Sequence, residues 1–366
     1  MQITLSHKIQ LNPNRQQEEY FAQACGISRF TWNWALDKWK AMYAEGESPS
    51  GLGLKKVFNS IKREEYPWIM DVTKYACQQP FLNLQKAFNS FFTGKSEYPQ
   101  FKKKGVHDSF YIGCDAFSVI NNKVRIPKLG NVRMTECLGF SGKILNATVS
   151  RTADKWFISI AVQMEVTPGT CENQTSVGVD LGIKALATLS NGETFEGPKP
   201  LKKMLAKLKR LQQAFSRKQP GSRSRAKAKQ KLAKLHYKIS CIRQDGLHKL
   251  TTYLANNFSE IVIEDLNVSG MMANHKLARA IADMGFYEFK RQLLYKAKIS
   301  GTKVVLADRW FPSSKTCSRC GSIHTELTLA DRTYICSNCG LQIDRDLNAA
   351  INLQNYPQTK ATATAA

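Results

Sequence analysis

The chain has 366 residues, with 53 Lys or Arg against 29 Asp or Glu and a formal net charge of +24. Its 43% hydrophobic content, with 22 Gly and 12 Pro, supplies real cores and excludes a disordered or collagen-like chain. No apolar run approaches the ~18 residues that span a bilayer, and the start Met1-Gln2-Ile3-Thr4-Leu5 lacks a signal-peptide core. A cytoplasmic protein of two or three domains with a polyanionic partner, most simply nucleic acid, is therefore expected.

Residues 1–11 alternate through Ile3, Leu5, His7, Ile9 and Leu11, which predicts a strand. Asn12-Pro13-Asn14 ends it and offers a helix cap. From about 15 to 95 the pattern is helical and aromatic, from Phe21, Trp32 and Trp39 to Phe81, Phe88 and Phe92, with Pro67 and Pro80 as punctuation. These aromatics read as core, not as platforms for bases. Residues 96–165 hold short alternating runs (110–112, 124–126, 132–134 and 156–160) divided by turn residues, the mark of an antiparallel sheet or barrel. Strand 1–11 could join it, making the helical block an insertion. A linker is expected at 166–175.

From Ser176 the pattern becomes α/β. Strands are predicted at 176–181, 185–190 and 194–196, with Asn191-Gly192 as a hairpin turn. Helices at 199–216 and 224–257, a strand at 260–266, a helix at 285–299 and a strand at 302–307 follow. A cysteine-rich piece spans 308–340, and a last helix starts near Asp346.

Three acids stand out. Asp180 lies in Val177-Gly178-Val179-Asp180-Leu181-Gly182, where a strand's period puts it on one face with Gly178. A carboxylate in so apolar a strand needs a cation or donors, and the glycines leave room for a bulky ligand. Glu264 ends the apolar run Ile261-Val262-Ile263, and Asp346 stands at a helix start, where a carboxylate is favoured. Together they can form a hard oxygen site for Mg²⁺, and two such ions suit phosphodiester cleavage. The plainer alternative has Asp180 capping a turn and the other two solvated. Asp265 and Asp344 are neighbours that could be the ligands instead.

Of ten cysteines, Cys25, Cys77, Cys114, Cys137, Cys171 and Cys241 are scattered, which suits a reducing compartment and inert, partly buried thiols. Cys317, Cys320, Cys336 and Cys339 fit C-x₂-C-x₁₅-C-x₂-C, a closed and therefore structural Zn²⁺ site, with Gly321 and Gly340 suited to the knuckle turns. His324 could compete for the metal, and Lys315, Arg319 and Arg332 could reach phosphate or merely solvate the knuckle. The six histidines form no ligand cluster or triad.

Between Lys199 and Lys238 lie fifteen Lys or Arg and no acid, with Leu205, Leu208, Leu211 and Phe215 as an apolar stripe. A solvated face is the ordinary reading. The missing acids favour a nucleic-acid contact, because like charges at i, i+4 repel until a phosphate backbone relieves them.

Several of these motifs, Gly178-Val179-Asp180-Leu181-Gly182, Ile263-Glu264-Asp265-Leu266, Phe311-Pro312-Ser313-Ser314-Lys315-Thr316-Cys317, the two Cys-x-x-Cys-Gly knuckles and the run from Asp344 to Asn352, resemble TnpB, also called insertion-sequence OrfB. That family comprises transposon-encoded RNA-guided nucleases akin to type V CRISPR effectors. The resemblance implies a multidomain α/β plus α and β fold: a RuvC-like nuclease domain of RNase H fold (171–307 and 341–356), an inserted zinc ribbon (308–340), an N-terminal wedge β-barrel (1–11 and 96–170) and an inserted helical recognition domain (12–95); the remaining residues, 357–366, read as a disordered tail from their own sequence. It implies Asp180, Glu264 and Asp346 as the catalytic, Mg²⁺-binding triad, with structural Zn²⁺ on the four cysteines. It further implies a guide RNA from the transposon end, double-stranded target DNA with a short adjacent motif, and a place with the prokaryotic nucleoid. The competing expectations are a catalytically silent RNA-guided repressor, a zinc-ribbon RNA-binding protein, and a direct transposase.

Overall fold

The computed structural model describes residues 1–167, 169, 175–328 and 331–364, with side chains placed to 356. Cys171 and most of the expected 166–175 linker lie outside the described residues. The chain divides into two compact units, Met1–Val166 and Thr167–Ala366.

In the first unit, β1 (Gln2–Asn12) is followed by α1 (Arg15–Ala44), α2 (Gly51–Glu65) and α3 (Lys74–Phe92), then by β2 (Ser109–Gly113), β3 (Ser118–Ile120), β4 (Lys123–Ile126), β5 (Gly130–Met134), β6 (Lys143–Thr152) and β7 (Lys155–Glu165). The strands form one sheet in the order β2-β6-β7-β1-β5-β4-β3. β1 pairs antiparallel with β7 from Gln2 opposite Glu165 to Leu11 opposite Trp156, so the three helices are inserted between sheet strands. Asn14 caps α1 through a capping box with Gln17, the device its sequence suggests. Pro80 behaves differently from the expected punctuation. It is buried inside α3, where packing against α1 outweighs the hydrogen bond lost to its ring. Trp39 stacks on Phe88 at 4.2 Å, and Phe21, Phe110 and Trp156 share the core.

In the second unit, β8 (Ser176–Asp180), β9 (Ala187–Leu189) and β10 (Thr194–Phe195) lead into α4 (Pro200–Ser216) and α5 (Arg223–Asn257). Then come β11 (Glu260–Glu264), α6 (Val268–Ala273), α7 (Ala278–Met284), α8 (Phe286–Ser300), β12 (Lys303–Ala307), β13 (Thr333–Ile335), β14 (Gln342–Asp344) and α9 (Arg345–Thr364). The main sheet has the order β10-β9-β8-β11-β12, with β8, β11 and β12 parallel and β9 antiparallel to β8. One face of this sheet (Val177, Val179, Ile261, Ile263) packs on Leu250 and Leu254 of α5 and Phe289 and Leu293 of α8. The other face meets α9, where Val262 and Ala307 pack with Leu353 and Tyr356.

Gly178 corrects one expectation. It leaves room for α9, not for a ligand. A Cβ there would sit 2.0 Å from the Ala350 carbonyl oxygen and 2.5 Å from the Gln354 nitrogen. The helix backbone therefore lies directly on β8, and the Gln354 side chain donates to the Ser176 carbonyl at 2.8 Å. The end of the chain also departs from expectation. The backbone of 357–364 continues α9, where a disordered tail is predicted; 365–366 lie outside the described residues.

Among the described residues the scattered thiols are free: Cys25 and Cys77 are buried, whereas Cys114, Cys137 and Cys241 are exposed where partial burial is expected. No helix among the described residues is long and apolar enough to cross a membrane.

Two backbone atoms block the new methyl, and neither can swing aside. Gly178→Ala should therefore cost about 3 kcal/mol of stability, the upper range for overpacking. Urea unfolding of the variant checks this, and an unchanged midpoint would contradict the close approach.

Candidate active site

Parallel pairing sets Val179 opposite Ile263, so the next residues along the two strands are Asp180 and Glu264. Neighbouring strands lie about 4.8 Å apart, which makes these two acids neighbours at the carboxyl ends of the sheet, where ligands gather in α/β folds. Both point to the face that carries α9. The third acid arrives by helix geometry. From Gln354 back to Asp346 is eight residues, about 12 Å of helix, and from Ser176 to Asp180 is four residues, about 13 Å of strand. With Gln354 anchored at Ser176, the first turn of α9 reaches the end of β8.

The electrostatics agree with that placement. Burial pushes the Asp180 carboxyl well above its usual range, and the charges of Glu264 and Asp346 push it further; Arg345 partly offsets them. Arg345 holds Asp346 through contacts of 2.9 and 3.2 Å. The buried Ser313 hydroxyl donates to Glu264. The two competing acids have structural roles. Asp344 caps α9, accepting from the nitrogens of Asp346 and Leu347 at 2.9 and 3.1 Å. That moves Asp346 from the cap to the first turn, where a carboxylate still meets the helix dipole favourably. Asp265 is paired with Lys290 at 2.6 Å and Arg309 at 2.9 Å, which hold its carboxyl below the ordinary value.

Among the described residues, the four cysteine thiols are the one group of three or more ligating side chains whose donor atoms all lie within 4.8 Å of one another. Cys317 and Cys339 are 3.6 Å apart at sulfur, as are Cys320 and Cys336. A tetrahedron with Zn–S of about 2.3 Å needs about 3.8 Å between sulfurs, so the donor set fits zinc. Gly321 and Gly340 take φ of +75° and +68° at the two knuckles, a conformation open to glycine. His324 packs edge-on against Tyr334, with ring centres 6.1 Å apart. Lys315 donates to the Thr325 carbonyl at 2.8 Å within the same ribbon. The three carboxylates do not close to the same spacing. Glu264 and Asp346 each have a protein partner, Ser313 and Arg345, and burial pushes the Asp180 carboxyl up.

Sequence reading missed the link between the ribbon and the acids. Buried Asn348 and Asn352 on α9 both donate to the Thr316 carbonyl, and Asn352 also donates to Ser313. The backbone of Ser318 donates to Asn348 at 3.0 Å. The strap 313–318 is thereby clamped to α9, which places Ser313 on Glu264. Two asparagines four apart within the apolar run 347–353 of α9 were the available signal.

The basic segment is a helical hairpin. Leu208, Leu235 and Ile239 are buried between α4 and α5 with Leu201, Met204, Leu211 and Leu232 around them. The stripe is thus an internal seam, while Leu205 is 36% exposed and Phe215 lies under the Arg225 guanidinium at 4.2 Å. Most of the lysines and arginines of this hairpin are exposed.

Comparison with known proteins adds the following. The OrfB_IS605 profile, described as "Probable transposase", matches residues 159–275, the "Cas12f1-like, TNB domain" matches 286–353, and a "Helix-turn-helix domain" matches 1–48. That last segment is here one strand and one unbroken helix, β1 and α1. A Streptomyces pristinaespiralis protein named "Putative RNA-guided DNA endonuclease" is 35% identical over 359 residues, 96% of this chain and 89% of its own. The similarly named InsQ of Escherichia coli K12 is 34% identical, over 94% of this chain and 90% of its own. In a cryo-EM complex of Cas12f1 with sgRNA and target DNA, the protein superposes with a TM-score of 0.63 at 13% identity, covering 97% of this chain and 99% of that one. The fold is accordingly the Cas12-like multidomain α/β type.

Two measurements follow from the geometry. Metal analysis of the purified chain should find one zinc, and Cys317→Ser should lose it. In a chelator, Asp180→Asn should melt above wild type by about 2–4 °C, because removing one buried charge from an acidic cluster relieves repulsion. A lower melting temperature would show that the carboxylate is stabilising in place.

Proposed function

The chain belongs to the OrfB/TnpB family of transposon-associated RNA-guided DNA endonucleases, and we propose that Asp180, Glu264 and Asp346 are its nuclease centre and would hold two Mg²⁺ ions. It cleaves double-stranded DNA chosen by a guide RNA. One observation carries the assignment of the centre: a buried carboxyl at a strand end feels two further acids brought in by a parallel neighbour and by a helix start. A chain that only bound DNA would gain nothing from so costly a cluster.

The finer architecture belongs to the same reading. Strand order β10-β9-β8-β11-β12, with one side parallel and the other a hairpin, supports a RuvC-like RNase H fold over 171–307 and 341–356. The ribbon at 308–340 falls between β12 and α9. The sheet of 1–11 and 96–170 is the wedge domain, and its inserted helices, 12–95, are the recognition domain.

Divalent ions on such oxygen donors supply an activated water and stabilise the leaving oxygen. The chain's own residues do the positioning. Ser313 orients Glu264, Arg345 orients Asp346, and the packing of α9 on β8 fixes Asp180. Hydrolysis adds one water across a phosphorus–oxygen bond: water attacks phosphorus and the bridging oxygen leaves with a proton. Base pairing with a guide from the transposon end selects the target, while the protein reads duplex shape and a short adjacent motif. The exposed cations of α4 and α5 suit the phosphate backbone of that nucleic acid. Such partners place the protein with the nucleoid in a prokaryotic cytoplasm.

Asp180→Ala should reduce guided cleavage below detection while guide RNA still copurifies. Asp344→Asn, which keeps the helix cap, should cut at close to the wild-type rate. Both are checked by single-turnover cleavage of a guided plasmid in Mg²⁺. Cutting by Asp180→Ala would move the centre elsewhere.

A further inference from the structure

Trp310 and Tyr287 are 86% and 71% exposed, the two highest values among the large hydrophobic side chains described. Tyr287 lies beside Glu264, and Trp310 beside Asp265. Tyr287 lines a cavity of about 270 Å³ with Glu264, Lys290 and Arg309. Trp310 lines a hollow of about 330 Å³ with Asp265, Arg309 and Tyr356. Arg309 is common to the two, so the rings flank one guanidinium.

The loop that carries Trp310 is fixed. The backbone of Asp308 donates to the Tyr356 hydroxyl at 3.1 Å, and the Trp310 nitrogen donates to the Asp308 carboxylate at 2.9 Å. Arg309 is tied to Asp265, and Phe311 turns inward against Tyr356 with ring centres 4.9 Å apart. Phe311 is thus packed while the larger ring beside it is presented to solvent on a rigid frame. An indole held out this way is preorganised to cover another flat apolar surface.

We propose that Trp310 and Tyr287 form a stacking clamp for unpaired bases of the DNA strand being cut. This rests on the nuclease centre assigned above. Ala307 is the partner of Glu264 across the β11–β12 ladder, and Trp310 follows three residues later, at most about 11 Å along the chain. At the ~3.4 Å spacing of stacked bases, that chain length corresponds to about three nucleotides from the Glu264–Ala307 pair. Lys290 and Arg309, both paired with Asp265, are the cations that line the two hollows, beside Glu264 and Asp308. Stacking accepts any base, so the clamp suits an enzyme whose sequence choice lies in its guide.

The test uses the full ribonucleoprotein with Trp310→Ala, Tyr287→Ala and Trp310→Phe on targets carrying one abasic site at successive positions. Trp310→Ala should slow single-turnover cleavage about 10- to 100-fold, the size of one lost stack, with guide binding unchanged and Trp310→Phe close to wild type. At one abasic position within about three nucleotides of the cut, wild type should slow equally and Trp310→Ala should add nothing. Rates within twofold of wild type for both alanine variants, or a penalty that adds in full at every abasic position, would overturn the clamp. The second outcome would assign the rings to guide RNA or protein. A second readout does not depend on the acids. In Asp180→Ala complexes, 2-aminopurine at the sensitive position should be quenched, and Trp310→Ala should remove the quenching. If Asp180→Ala still cuts, the assigned centre fails while the quenching result stands on its own.

Discussion

The second unit depends on a helix lying bare against a strand. At Gly178 no side chain separates β8 from α9, and the carbonyl of Ala350 occupies the space a Cβ would take. Side-chain-mediated helix packing sets axes 8–10 Å from their neighbours; backbone contact brings them nearer and fixes the helix along its length. The strand end and the helix start then coincide, and Asp346 arrives beside Asp180. The burial of Leu353 and Tyr356 against Val262 and Ala307 holds that register. Hydrophobic packing on one helix face thus maintains an acidic cluster that its own electrostatics would disperse.

The zinc ribbon extends the same constraint. Its entry strap is held on one side by the cysteine knuckle and on the other by Asn348 and Asn352, whose side chains bond to backbone carbonyls away from water. Buried polar groups of this kind are costly unless paired, and paired they specify one arrangement. The arrangement specified puts Ser313 on Glu264. A four-cysteine site with no open coordination position would thus act on the proposed centre indirectly, by fixing where Glu264 points.

The sequence displayed the groups that carry charge or bind metal, because their cost leaves a local mark. Asp180 inside an apolar strand and two Cys-x-x-Cys-Gly knuckles are visible within six residues of context. Roles set by distant partners left no such mark. Gly178 looked like room for a ligand because nothing local points to Ala350, 172 positions later in the chain. Asp344 and Asp346 are both acids at a helix start, and only the hydrogen bonds identify the first as the cap. The stripe on α4 was legible as a periodicity, but its burial against α5 depends on a hairpin that brings Leu208 to Leu235 and Ile239. Trp310 and Phe311 are adjacent aromatics whose opposite fates depend on Tyr356 of α9.

Charge explains why the proposed centre would need cations within so basic a chain. Three carboxylates and a phosphate repel one another by about 3 kcal/mol per pair at 5 Å and an effective dielectric near 20. The net charge of +24 offers little relief there, since exposed lysines farther than about 8–10 Å away are screened by salt. Arg345 and Ser313 each engage one acid, and burial raises the proton affinity of Asp180, yet none of them bridges acid to phosphate. Divalent ions held by Asp180, Glu264 and Asp346 would supply that link. In the proposed centre the long-range positive field would gather nucleic acid, and cations held by the three acids would admit its backbone to the acidic pocket. Attraction over the surface and selectivity at the centre are thus carried by charges of opposite sign.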